Sequence, residues 1–263
     1  MSTKGSVLIT GCSDGGVGSG LALVFQERGY HVFATARNPE KMTNLKNLPN
    51  VTLLELDVVV PSQIRAAVEA VTAITGGDLT VLINNAAQFH YMPLLDDDIE
   101  AAKQTFDANV WGPLAVTQAF APLLIKARGM VVNITSIAGH NPVPWLGVYG
   151  ASKRSQEHMA DILRLELSPF DVKVLSVVTG AVATGTQSTK DFRLPSGSRY
   201  KAIEQRIVER GPTDSRSRMP LMTYTNQVVY QIEAGATGKV WLGDHAEDAK
   251  QASLHPETAA QWV

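Results

Sequence analysis

Val7-Leu8-Ile9-Thr10-Gly11-Cys12-Ser13-Asp14-Gly15-Gly16-Val17-Gly18-Ser19-Gly20-Leu21 is the stretch on which the fold turns. Its first four residues are a short, unbroken apolar run, the composition of a strand buried on both faces. Gly11 to Gly20 is a glycine-rich turn. Val17, Leu21, Val24 and Phe25 then recur at helical spacing until Gly29 stops the helix. A strand that passes through glycines into a helix suits a dinucleotide. Glycines let the backbone approach a diphosphate, and the helix N-terminus offers unpaired N–H groups and a partial positive charge. Taken alone, the same residues also describe a tight strand–helix turn with no ligand.

Working outward, the alternation repeats. His31 to Ala36, Val51 to Leu56, Leu79 to Ile83, Gly129 to Ile134 and Val172 to Val178 read as further strands. Between them lie helical patterns at 61–75, 97–108, 110–127 and 149–167, the first opening on Pro61, a residue suited to a first turn. Apolar strands alternating with helices predict an α/β fold: a Rossmann-type, doubly wound parallel sheet flanked by helices, built as a single domain over 1–263. Beyond Gly180 the pattern loosens. Residues 180–220 are rich in Thr, Ser, Arg and Pro and read as a substrate-covering segment with one helix near 199–210. Lys239-Val240-Trp241-Leu242 reads as a final strand.

Composition narrows the function classes. The 263 residues are 44% hydrophobic and 18% charged, and the net charge of −2 gives no broad basic surface for nucleic acid. The one cysteine, Cys12, excludes a disulfide within the chain and fits a reducing compartment. No secretory signal opens the sequence, no run of about 18 apolar residues predicts a spanning helix, and no lipidation signal closes it, so the expected location is the cytoplasm. No His/Cys cluster has metal-ligand spacing, so no metal is expected.

The end of the second strand selects the cofactor. It reads Thr35-Ala36-Arg37-Asn38. An acid there would bind the ribose 2′-hydroxyl and repel a 2′-phosphate. Arg37 instead offers a forked cation suited to phosphate, which points to NADP(H). Its bland alternative is a surface arginine. Asp57, after the third strand, is placed to hold the adenine amino group or to cap a loop.

Further along stand Asn84-Asn85-Ala86-Ala87, Asn109, Ser136 and Tyr149-Gly150-Ala151-Ser152-Lys153. Singly each has a bland reading: an exposed helix pair, a turn serine, a buried structural amide. In this order, behind the glycine-rich start, they resemble the short-chain dehydrogenase/reductase family over roughly residues 5–180. Within it the sequence is most similar to fungal 1-acyl-dihydroxyacetone-phosphate reductase-like and secondary-metabolite tailoring reductases, through Phe33-Ala34-Thr35-Ala36-Arg37-Asn38 and Val177-Val178-Thr179-Gly180-Ala181-Val182. The glycine spacing runs one residue longer than the common family pattern, which makes Gly16 and Gly18 the functional equivalents. Ala87 and Thr179 stand where glycine and proline are usual. The resemblance implies Tyr149, Lys153, Ser136 and Asn109 as the catalytic set. It implies a cofactor lying along Gly11, Ser13, Gly16, Val17, Gly18, Arg37, Asp57, Val58, Asn84, Ala86, Lys153, Gly180, Val182 and Thr184.

Carbonyl reduction needs a hydride on carbon and a proton on oxygen. A tyrosine titrating near 10 must be brought down to about 7 to work at neutrality, a preference of about 4 kcal/mol for phenolate. Lys153, one helical turn from Tyr149, is the available cation. Ser136 would hold the carbonyl oxygen, and the resemblance gives Asn109 a water-linked relay to Lys153. The expected function is NADPH-dependent reduction of a ketone on a bulky small-molecule substrate. The alternatives are a tailoring enzyme with a non-redox cyclisation or isomerisation, and an NADPH-sensing binding protein. The resemblance also favours a homodimer or homotetramer through the helices at 110–127 and 149–167.

Several residues stay open or recede. His90, Tyr91, Met92, Val143, Trp145, Leu146 and 184–194 line the substrate pocket or merely pack loops. Cys12 reads as a small packing residue more than a reactive thiol. Asp96-Asp97-Asp98 reads as a solvated helix start. Arg206, Arg210, Arg216 and Arg218 read as a solvated face rather than a site for an anionic substrate.

Overall fold

The computed structural model describes residues 3–185, 192–211 and 217–254. Parts of the 180–220 segment, Arg216 among them, lie outside the described residues.

Seven parallel strands form one sheet. They are β1 (Ser6–Ile9), β2 (His31–Ala36), β3 (Val51–Glu55), β4 (Val81–Asn84), β5 (Met130–Ser136), β6 (Lys173–Thr179) and, last in the chain, β9 (Gly238–Leu242). Their order across the sheet is β3-β2-β1-β4-β5-β6-β9. Successive side chains of a strand point to opposite faces. Val7 and Ile9 therefore enter one half of the core and Leu8 the other, all fully buried. That is why the strand sequence is continuously apolar rather than alternating. On one face lie α1 (Val17–Glu27) and α7 (Leu221–Glu233). On the other lie α2 (Pro61–Thr75), α4 (Gly112–Ala127) and α5 (Gly147–Glu166). The strand order reverses between β1 and β4, so their carboxyl ends open a crevice, the place where ligands bind in such sheets.

The two helices expected at 97–108 and 110–127 are one continuous helical run. α3 (Ile99–Phe106) passes into a π-helical turn, Asp107–Trp111, and on into α4. The turn inserts an extra residue into the helical repeat, a feature common at functional sites, and it carries Asn109. The run Ile99–Ala127 is the one described helix long and apolar enough to cross a membrane by length and composition, but half of its most apolar stretch is buried inside the protein, as in the core helix of a folded domain.

The C-terminal third holds more structure than its sequence suggested. The expected helix near 199–210 shrinks to a 3-10 turn, Lys201–Ile203, and α6 (Glu204–Glu209). Two short strands, β7 (Val182–Ala183) and β8 (Met219–Pro220), pair in parallel. α7 and α8 (Ala246–Leu254) had no counterpart in the sequence reading. α7 is rich in Thr, Val and Tyr, which are mediocre helix formers. It is held by burial of Tyr224, Val228, Val229 and Ile232 against α1, where a Cβ on Gly20 would come within 2.9 Å of Thr225. Tertiary packing outweighs propensity here.

Candidate active site

The glycine turn fits a dinucleotide. α1 starts after Gly16 with no side-chain cap and no acid in its first turn, so its N-terminal dipole is left for an anion. Gly11 has φ 76°, and a Cβ there would lie 2.9 Å from Ala86 Cα. A Cβ on Gly18 would lie 2.3 Å from the Gly11 carbonyl. The β1 and β4 exits thus meet at a distance only glycine permits. Asn85, which the sequence reading passed over, fastens them. Its side-chain amide donates to the carbonyls of Thr10, 2.8 Å, and Gly11, 2.9 Å, while its backbone N–H donates to the Thr10 hydroxyl.

Asp14 was passed over as well. Its carboxylate accepts from Thr43 N–H, the Thr43 hydroxyl and Asn44 N–H, and these contacts hold its pKa below the ordinary value against the cost of desolvation. They stitch the turn to the loop after β2. Arg37 begins that loop, is exposed, and forms no ion pair among the described residues. On the opposite side Gly185 N–H donates to the Gly15 carbonyl, so the chain after β7 closes onto the glycine turn.

Tyr149 is the third residue of α5 and Lys153 lies one turn on. Ser136 ends β5 and caps a short 3-10 turn, accepting from Ala138 N–H at 3.2 Å. Burial pushes the Tyr149 phenol up to about 12, against the smaller opposing pull of the neighbouring Ser136 hydroxyl. This corrects the expectation that Lys153 draws the phenol toward neutrality. The Lys153 ammonium is turned instead to the Ile134 carbonyl, 2.9 Å, and Gln156 Oε1, 3.2 Å, and burial lowers its own pKa to about 8. The protein's own residues therefore keep Tyr149 as a neutral acid.

Asn109, in the π turn, is fully buried. Its amide donates to the Gln88 carbonyl and the Ser152 hydroxyl and accepts from Gln88 N–H. The Ser152 hydroxyl in turn donates to the Tyr149 carbonyl, 2.7 Å. The Asn109 side chain thus braces the start of α5 against the 85–88 turn and does not itself reach Lys153.

Other residues sit differently from expectation. The Asn84 side-chain amide points into the half of the core covered by α4, donating to Thr117 and Asn133. Val58 packs in the core, where Gly112 makes room for it. Asp57 Oδ1 accepts from Val59 N–H, a loop-capping role. Gly180 and Val182 are drawn to the end of β9: Gly180 N–H donates to Leu242, and Val182 joins the core. Ser13 and Val17 flank the turn, and Thr184 lies at the end that meets Gly15. Cys12 is a packing residue, fully buried, its thiol pushed up to about 12 by burial.

The acidic triplet is not a solvated run. Asp98 caps α3, Asp97 is buried against His90 at 2.7 Å, and Asp96 accepts from Ser198. No group of three His, Cys, Asp or Glu among the described residues is placed to hold a metal.

A reversal point shaped to take an anion, beside a half-buried tyrosine and serine and a buried lysine, defines an NAD(P)-dependent oxidoreductase. The chain belongs to the short chain dehydrogenase family, which it matches over residues 5–193. It is 48% identical over 245 residues to the short-chain dehydrogenase ptmH of Penicillium ochrochloron, covering 93% of this chain and 90% of that protein. It is 38% identical over 220 residues to the NADPH-dependent 1-acyldihydroxyacetone phosphate reductase of Schizosaccharomyces pombe, covering 81% and 74%. A solved short chain dehydrogenase from Burkholderia cenocepacia, in complex with NADP, aligns with a TM-score of 0.79 at 25% identity over 99% and 98% of the two chains.

Proposed function

We propose that the protein reduces a ketone to a secondary alcohol with NADPH, Tyr149 delivering the proton. The observation that carries this reading is a phenol that desolvation keeps protonated, with the Ser136 hydroxyl beside it and Lys153 one helical turn on. Bound NADPH supplies the hydride to the carbonyl carbon. Ser136 and Tyr149 both donate toward the carbonyl oxygen, polarising it and stabilising the charge that develops there. Tyr149 passes its proton to that oxygen, and the Lys153 ammonium one turn away stabilises the phenolate left behind. Asn109 keeps Tyr149 in register through Ser152. The intact quartet favours redox turnover over the non-redox and sensing alternatives.

The residues to hold the cofactor are the backbone of Gly11 to Gly18 and the start of α1 for the diphosphate, Asp57 for the adenine, and Arg37 for the 2′-phosphate. The exposed Arg37, without an ion pair among the described residues, the lack of an acid at 35–38, and the cofactors named for the Schizosaccharomyces and Burkholderia relatives support NADP(H) over NAD(H). Arg37→Ala is expected to raise the NADPH Kd about tenfold or more, the loss of one charge-assisted contact, and to change the NADH Kd less than twofold. Fluorescence titration with both dinucleotides checks this. Equal weakening of the two would show that Arg37 does not read the phosphate.

We further propose that α4 and α5 pair with a second copy. Between them lies a cavity of about 160 Å³ lined by Val110, Leu114, Met159, Ile162 and Leu163, with Ile162 and Leu165 left exposed. Light scattering is expected to give a multiple of the 28.3 kDa chain mass. Ile162→Glu is expected to shift it toward the monomer. A wild-type protein that is monomeric at micromolar concentration would remove this reading.

A further inference from the structure

Four aromatic side chains from three separate parts of the sequence gather beside the proposed proton donor. The Phe89 ring lies 5.3 Å from Tyr149, centroid to centroid, tilted by 59°. Tyr91 follows at 6.2 Å from Phe89 and within 13° of parallel. Trp145 and Phe192 then meet Tyr91 edge-on, at 6.2 and 5.5 Å. These four and Tyr149 are half-buried, so part of each residue stays open beside the wall instead of being sealed in the core.

The wall is held in place. The Tyr91 hydroxyl donates to the Ile207 carbonyl at 2.8 Å, which leaves its ring, not its hydroxyl, to face the others. Trp145 sits at φ 68°, a left-handed conformation unfavourable for a bulky residue, and its carbonyl accepts from Met92 N–H at 2.9 Å. Strain of this kind persists at ligand-contacting sites, where surrounding contacts over-determine it. Asp96, hydrogen-bonded to Ser198, and Tyr91, bonded to Ile207, tie residues 192–211 to the 88–98 loop, so Phe192 is anchored to the same wall. His90 is engaged with buried Asp97 rather than presented as a free cation.

Rings attract rings by offset stacking and edge-to-face contact, worth about 0.5–1.5 kcal/mol per pair beyond simple burial. A flexible acyl chain gains only the burial and gives up rotamer freedom to lie along the wall. From this geometry we propose that the substrate is a planar, ring-fused or aryl ketone, its carbonyl at Tyr149 and Ser136 and its ring system laid on Phe89 and Tyr91, with Trp145 and Phe192 closing edge-on. The inference rests on the ketone-reductase reading and names its substrate class. In the reaction, hydride from the reduced nicotinamide forms the new C–H bond. The carbonyl π bond breaks toward oxygen, and the Tyr149 proton completes the hydroxyl, leaving the oxidised dinucleotide and a benzylic or ring alcohol.

The test compares kcat/KM for 1-tetralone and 2-decanone, two ketones with the same number of carbons, and for a 1-acyl-dihydroxyacetone phosphate. It uses wild type, Phe89→Leu and Phe192→Leu. Leucine keeps an apolar side chain and removes the ring; Phe192, further from Tyr149, guards against a Phe89 variant that disturbs the acid itself. NADPH binding and thermal melting report that each variant is folded. Wild type is expected to favour 1-tetralone over both other substrates, and each variant is expected to lower the tetralone-to-decanone ratio about tenfold. Equal losses on both ketones, or a preference for the acyl phosphate, would overturn the aromatic assignment while leaving the reductase intact. Turnover of none of the three by a wild type that binds NADPH would overturn the reductase reading itself, and this inference with it.

Discussion

Tyr149→Phe is expected to cut kcat for ketone reduction by about a thousandfold or more while leaving the NADPH Kd within about twofold of wild type. A positioned general acid contributes typically 10²–10⁴-fold, and phenylalanine removes only the oxygen that carries the proton. Ring packing against Phe89 survives the change, so the pocket keeps its shape. Ser136 would still polarise the carbonyl, which leaves a measurable residue of activity. Stopped-flow single turnovers with saturating NADPH separate this from a binding defect. Turnover above about a tenth of wild type would remove Tyr149 as the proton donor. The same mechanism sets a pH dependence. Tyr149, pushed up to about 12, stays protonated through the working range, whereas Lys153 loses its proton above about 8. Reduction should therefore slow as pH rises through about 8, because the phenolate left in the transition state loses its neighbouring cation. A rate flat to pH 10 would show that Lys153 does not act through its charge.

The second large effect concerns stability. Glu157 lies one turn beyond Lys153 and is almost fully buried. It accepts from His140 at 2.8 Å, Arg154 at 2.9 Å and Lys239 at 2.9 Å, with the Thr135 hydroxyl at 3.5 Å. One carboxylate thus ties α5 to β5, to β9 and to the turn after Ser136, and the His140 ring packs on Trp241 at 4.5 Å. Burial by itself would raise its pKa; the hydrogen bonds and charges of His140 and Lys239 more than offset that and hold it below the ordinary 4.5. Removing one member of a buried ionic cluster costs about 3–5 kcal/mol, because the partners lose their counter-charge. Arg154 and Lys239 are partly exposed and recover some hydration, which places Glu157→Ala near the lower end, about 3 kcal/mol. For a chain of this size that is a fall of about 6–12 °C in Tm. The exposed Glu100–Lys103 pair gives the contrast: Glu100→Ala should cost less than about 0.5 kcal/mol. Because the folded pKa of Glu157 is depressed, its contribution is complete above the unfolded value and is lost as pH falls through the folded one. The gap between wild type and Glu157→Ala should therefore narrow in acid, below about pH 4. A variant melting within 2 °C of wild type at pH 7, measured by circular dichroism, would show that the cluster adds little.

Glu157 also flanks the chemistry. Thr135 and His140 lie on either side of Ser136, and both reach the same carboxylate. Losing it should loosen the serine that holds the carbonyl as well as the fold. A change in kcat larger than the change in folded fraction is the sign of that second effect.

Local features were readable without tertiary structure. Buried parallel strands need continuous apolar runs, glycine is required where β1 approaches β4, and a four-residue interval places Tyr149 and Lys153 on one face of a helix. These follow from backbone geometry and side-chain volume within a few residues, and they were enough to define the sheet, the glycine turn and the Tyr–Lys pair, and to mark Arg37 as the candidate phosphate reader. Other features depend on which distant segments meet. The phenol's pKa follows from burial and from where the Lys153 ammonium turns, so residue spacing pointed to the wrong direction. Asp96, Asp97 and Asp98 look like one solvated run until Ser198, His90 and the start of α3 claim one each. α7 exists because α1 buries its apolar face, not because its Thr- and Val-rich sequence favours a helix. The aromatic wall unites 89–91, 145–149 and 192. Desolvation and long-range packing act on whatever the fold brings together, and no window of sequence contains that information. The Tyr149–Lys153 interval was therefore legible from the chain alone, while the charge state of that pair and the shape of the surface beside it were decided only by the folded structure.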